Sequence, residues 1–142
     1  MQTFVPYPDF IESAVVLDRQ RLGKQRVEVI QILNTLAGIS AGWANHPAVL
    51  MWKDHEYSLM KYGVEICQEW LRRGYRDTCL LKISNIYNEN FYYTSNLEDP
   101  HWLGGPIHVT HQSKLIQKFP DHYRPLFVGV RDDLDYYWPT QN

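Results

Sequence analysis

The chain has 142 residues, of which 44% are hydrophobic and 21% charged. That length and balance fit a single folded domain over residues 1–142 and exclude a disordered or low-complexity chain. A net charge of −2 excludes a general basic surplus as the basis of nucleic-acid binding, so any such contact needs local clusters of cations.

Met1 to Pro8 ("MQTFVPYP") is short, apolar and broken by Pro6 and Pro8, so it can be extended but cannot be helical throughout. Asp9 followed by Glu12 predicts a capped helix opening into "FIESAVVL", with a bend near Asp18. "LDRQRLGKQRVEVIQIL", from Leu17 to Leu33, reads as one helix that stops by Gly38. Leu22, Val29, Leu33 and Leu36 form one apolar stripe, and Val27 and Ile30 point another way. Arg21, Lys24 and Glu28 share a third side, because positions i, i+3 and i+7 fall within a narrow angular range. A helix apolar on two sides is wedged in a core, so its polar stripe can line something other than open solvent. Arg26 lies nearer the apolar face, where it either snorkels or reaches a ligand.

"GISAGWANHPAV" reads as a loop on Gly38, Gly42 and Pro47. From Ala48 to Arg73 the pattern is helical, and Gly74 is placed to stop it. Residues 77–105 are expected to be mainly loop and short helix, with a possible strand at Phe91 to Thr94. Val109 to Phe119 predicts a third, shorter helix ending before Pro120. The fold expected is all-α, a compact single domain of about three main helices with long irregular connections.

Ten Tyr and five Trp can either build the core or stack on flat ligands. His108 and His111 can share a helix face, but nothing supplies the further ligands a zinc site needs, so no metal is expected. No cofactor is implied, since the phosphate-cradling and nucleophilic-serine motifs are missing. Cys67 and Cys79 are read as buried thiols of a reducing compartment. Without a long apolar run or a leader, the expectation is a cytoplasmic chain with no membrane partner, and without a heptad seam a monomer. The Arg21/Lys24/Glu28 stripe has two readings. It forms weak solvated ion pairs, or its cations meet phosphates while Glu28 does acid–base or electrostatic chemistry.

Four collinear stretches resemble the pyrimidine-dimer DNA glycosylase family: "LDRQRLGKQRVE", "NHPAVLMW", "KYGVEICQEWLRRGYRDT" and "PIHVTHQSKLIQKFPDHY". From the first to the last they span residues 17–123, well over half of the chain. The resemblance implies double-stranded DNA as partner and Glu28 as the catalytic glutamate. It also implies an α-amino group that attacks the sugar C1′ of a flipped nucleotide, forms a Schiff base and leads to strand nicking. An ordinary α-amine has a pKa near 7.7–8, so part of it is a neutral nucleophile at pH 7. The family exposes a threonine amine by losing its initiator; here Gln2 is too bulky for that removal, and the amine belongs to Met1. Arg21, Lys24, Arg26, His46, Lys118 and Tyr123 are the expected DNA contacts, with Arg72, Arg73, Lys114 and Arg124 as further candidates. Val27 and Gln31 stand where the family's phage enzyme has arginines. Two rival functions remain open at this point: a non-catalytic nucleic-acid or nucleotide-binding domain on the same scaffold, and a nucleoside or nucleotide N-glycosidase using Glu28 alone.

Overall fold

In a computed structural model, residues 1–139 are described. Asp9 accepts the N–H groups of Ile11 and Glu12 at 2.8 and 3.2 Å and so starts α1 (Phe10–Val16). The bend expected at Asp18 separates α1 from α2 (Arg19–Leu36). After the loop come the short α3 (Pro47–Leu50), α4 (Glu56–Arg72), α5 (Leu80–Asn90), α6 (Ile107–Lys118) and the short α7 (Pro120–Tyr123). Among the described residues there is no strand, so the fold is all-α.

Three details differ from the sequence reading. The helix expected from Ala48 is broken into α3 and α4, because Asp54 takes a left-handed backbone (φ +66) that no helix interior accommodates. A fourth substantial helix, α5, occupies part of the region expected to be mostly irregular. Its start is fixed from outside its own sequence: Asp77 accepts the N–H groups of Cys79 and Leu80 at 3.1 and 2.7 Å. No strand forms at Phe91 to Thr94, where a turn follows α5 instead.

Helix α4 packs against α1, α2 and α5. A Cβ added to Gly63 would lie 2.8 Å from Val29 Cγ1 and 3.0 Å from Ile83 Cδ1, so glycine is what lets α4 approach α2 and α5 this closely. Gly74 ends the helical segment with φ +91, as its place after Arg72–Arg73 predicted. Leu22, Val29, Ile32, Leu59, Ile66 and Ile83 are fully buried between these helices. Trp52, edge-on to Trp102 with centroids 5.0 Å apart, anchors the side nearest the N-terminus. Most of the aromatic excess is therefore core. Both cysteines are free and buried, and burial pushes the Cys67 thiol up to about 12. No described helix is long and apolar enough to cross a membrane.

Residues 1–5 have no regular secondary structure and bends follow from Pro6 to Asp9, so this segment among helices has no ladder to satisfy its backbone. Side chains supply the partners. Gln25 Oε1 accepts Phe4 N–H at 2.9 Å, and Gln25 Nε2 donates to Gln2 O at 3.1 Å. Tyr62 Oη donates to Phe4 O at 2.7 Å. His111 Nδ1 accepts Val5 N–H at 2.9 Å, and His108 Nδ1 donates to Val5 O at 2.7 Å. Gln112 Nε2 donates to Pro6 O at 2.7 Å. The two histidines that sequence alone offers as a metal pair both hold the N-terminal segment at Val5.

Candidate active site

The clamps on Phe4 and Gln2 bring Met1 to a half-open cleft of about 390 Å³ beside the polar stripe of α2. Helix α2 contributes Gln20, Arg21, Lys24, Gln25 and Glu28; the N-terminal segment contributes Met1, Gln2 and Phe4. His46, from the start of α3, and Lys118, from the end of α6, form further walls. Tyr136 and Trp138 close the cleft from the C-terminal segment. That segment is held to α6 by Leu134 N–H to Ser113 Oγ at 3.0 Å and Tyr137 N–H to Thr110 Oγ1 at 3.2 Å.

Glu28 is 4% exposed. Its Oε1 lies 3.9 Å from Lys24 Nζ, and its Oε2 is buried without a hydrogen-bond partner among the described residues. A buried, half-satisfied carboxylate costs stability. Glu28 sits in the wall of the cleft, and an unmade hydrogen bond of a buried group calls for an explanation. Lys24 itself is largely exposed, and Lys118 is exposed without an ion-pair partner among the described residues. Arg21 is tied on one side to Asp18, at 3.2 and 3.3 Å. Burial opposes ionisation of Asp18, but hydrogen bonds from Tyr123 and Arg21 outweigh it and hold the carboxyl below its usual range.

His46 Nδ1 accepts the N–H of Ala48 at 3.0 Å and caps α3. An Nδ1 used as an acceptor leaves the ring proton on Nε2, so His46 is a neutral donor of fixed tautomer at the cleft wall. Its pKa is lowered by burial and by the positive charge of the N-terminal amine, and the Glu28 carboxylate partly offsets this. The amine and Glu28 therefore both act on one ring. No ion pair joins the amine to Glu28 among the described residues.

Of the residues singled out from sequence, Met1, Arg21, Lys24, Glu28, His46 and Lys118 share the cleft. Arg26 and Tyr123 do not line it, and each is engaged within the fold. Arg26 Nε binds Asp77 at 2.7 Å, and its guanidinium lies 4.6 Å from the Trp70 ring, so it ties α2 to the start of α5. Tyr123 is fully buried, with its hydroxyl on Asp18. Arg72 and Arg73 pair with Glu69, and Arg73 also donates to Val15 O at 3.0 Å at the end of α1. Lys114 faces Asp135, and Arg124 pairs with Asp132. Sequence reasoning missed Gln25, Tyr136 and Trp138. Only Gln25 left a signal, since it lies one turn from both Arg21 and Glu28.

An all-helical domain thus gathers the Met1 end of the chain, the buried Glu28 carboxylate, Arg21, Lys24, Lys118 and the His46 imidazole around one cleft. A sequence model of the pyrimidine dimer DNA glycosylase family matches residues 1–83, more than half of the 142, and the chain belongs to that family. The family's activity is that of a DNA glycosylase, with DNA as substrate. Comparison with curated proteins and with solved structures gave no match. The matched span includes every cleft residue up to His46, while Lys118, Tyr136 and Trp138 lie beyond it.

Proposed function

We propose that this protein excises damaged or modified pyrimidines from double-stranded DNA and then cleaves the abasic strand, with the Met1 amine as nucleophile and Glu28 as the catalytic carboxylate. The observation that carries the reading is the shared cleft of Met1 and Glu28, together with the unsatisfied Oε2 of that buried side chain. In this mechanism the neutral amine adds its lone pair to C1′ of an extruded nucleotide. The glycosidic bond breaks, and the base leaves with the bonding pair and takes up a proton. Glu28 stabilises the positive charge that develops at the sugar. Opening of the furanose gives an iminium between C1′ and the amine. Loss of a C2′ proton then expels the 3′ phosphate, and Glu28 is the base within reach of that step. Arg21, Lys24 and Lys118 neutralise the flanking phosphates, and His46 Nε2–H donates to a sugar or phosphate oxygen.

Borohydride reduction during incubation with abasic and with ultraviolet-irradiated duplexes tests this reading. The expected result is a covalent adduct mapped by mass spectrometry to the Met1 amine. Duplex binding without an adduct or base release supports a binding domain instead. Base release from free nucleosides without an adduct supports an N-glycosidase that uses Glu28 alone.

A further inference from the structure

The loop between α2 and α3 holds a tryptophan in an unfavourable backbone. Trp43 has φ +69, a left-handed conformation that bulky side chains rarely adopt. Its neighbours Gly42 and Ala44 are small, and its indole is 60% exposed. The loop is nevertheless anchored: Thr35 Oγ1 donates to Gly42 O at 3.2 Å, and His46 N–H donates to Trp43 O at 2.9 Å. The indole stands edge-on to the His46 ring, with centroids 5.6 Å apart and planes at 77°. His46 in turn is edge-on to Trp138 at 6.1 Å, and both of those rings line the cleft. A large flat apolar group is thus held, largely exposed, beside an imidazole that lines a cleft of about 390 Å³, on a loop with a left-handed residue at the tryptophan itself.

We propose that Trp43 is the wedge of this enzyme, entering the base stack of duplex DNA and filling the gap left when a nucleotide passes into the cleft. The proposal rests on the reading that the cleft receives an extruded nucleotide. Apolar side chains that insert between base steps offset the lost stacking and hold the duplex open. An indole can do so against any base, because every base has a π-face. Contact with the cap of α3 couples insertion to His46: a ring pushed by the duplex presses on the same imidazole that lines the sugar site.

The test compares duplex and single-stranded substrates of one sequence carrying 2-aminopurine beside the target. With Trp43→Ala we expect base release from the duplex to fall about tenfold or more, the size of one lost stacking contact. Release from the single strand, which has no stack to open, should stay within about twofold. Trp43→Phe should restore most of the duplex rate. On binding the duplex, the wild-type protein should brighten 2-aminopurine and Trp43→Ala should not, a readout that needs no chemistry. Equal losses on both substrates, an unchanged duplex rate in Trp43→Ala, or no brightening by the wild type at saturating duplex overturns the wedge. Brightening by the wild type without base release from either substrate leaves the wedge standing and overturns the glycosylase reading instead.

Discussion

Gln25 Oε1 accepts the backbone N–H of Phe4 at 2.9 Å, so a side chain of α2 fixes where the first residues of the chain lie. Tyr62 Oη, whose single proton is shared between Phe4 O at 2.7 Å and this oxygen at 2.9 Å, approaches from α4, while Gln25 Nε2 donates to Gln2 O at 3.1 Å. One amide therefore joins α2, α4 and the N-terminal segment, one turn away from Glu28.

Replacing Gln25 with Leu leaves the Phe4 N–H without its acceptor and the Gln2 carbonyl without its donor. Denaturant unfolding should show a loss of about 1–3 kcal/mol. Borohydride trapping should fall more than the loss of folded protein accounts for, because Met1 is no longer held in the cleft. Unchanged trapping in a folded Gln25→Leu protein would show that the clamp does not position the amine.

Glu28→Gln should slow base release by about 10²–10⁴ while duplex affinity stays nearly constant. It should also leave stability equal or higher, since a neutral amide replaces a buried carboxylate with an unsatisfied oxygen. Activity near the wild-type level, measured by single-turnover kinetics, removes Glu28 from the mechanism.

Lys118 and Arg26 separate DNA binding from architecture. For Lys118→Ala, the slope of log affinity against log salt should flatten by about 0.9, the value for one lost phosphate contact. Arg26→Ala should leave that slope unchanged and lower the melting temperature, because it strands Asp77 at the start of α5. Burial opposes ionisation of Asp77, but the Leu80 and Cys79 amides and Arg26 hold its carboxyl below the usual range. Flattened salt dependence in Arg26→Ala would return that residue to the DNA interface.

Acid should weaken the fold through its buried histidines. Burial, aided by neighbouring His108, lowers His111 from 6.5 to about 3, and burial lowers His108 in the same direction. Below the unfolded value near 6.5 the unfolded chain binds more protons, so stability is complete above that pH and is lost as pH falls toward 3. One such ring accounts for about 2 kcal/mol between pH 7 and pH 5. His111→Asn, whose Oδ1 can still accept the Val5 N–H, should unfold with a shallower pH dependence over that window. An equally steep dependence in the variant would assign the acid sensitivity to other groups.

Local order was readable from sequence wherever the cause was local. The Asp9 cap, the bend at Asp18, the Gly74 stop and the arc of Arg21, Lys24 and Glu28 all follow from neighbouring residues. Helix α5 escaped because Asp77 and Arg26, not the polar "IYNEN" run, fix its start. The break after α3 escaped because Asp54 adopts a backbone its residue type does not announce. Arg26 and Tyr123 looked like DNA contacts on charge and chemistry, yet Asp77 and Asp18 engage them inside the fold.

The sequence by itself determined an all-helical chain, the polar face of α2 and membership of a glycosylase family, because periodicity and ordered motifs are properties of the chain's linear pattern. Only the tertiary structure decided that Met1 and Glu28, far apart in the chain, share a cleft with Lys118 and Trp138. That outcome depends on an N-terminal segment whose backbone hydrogen bonds at Phe4 and Val5 are met by Gln25, Tyr62, His108 and His111 from three different helices, and no linear pattern encodes such a convergence.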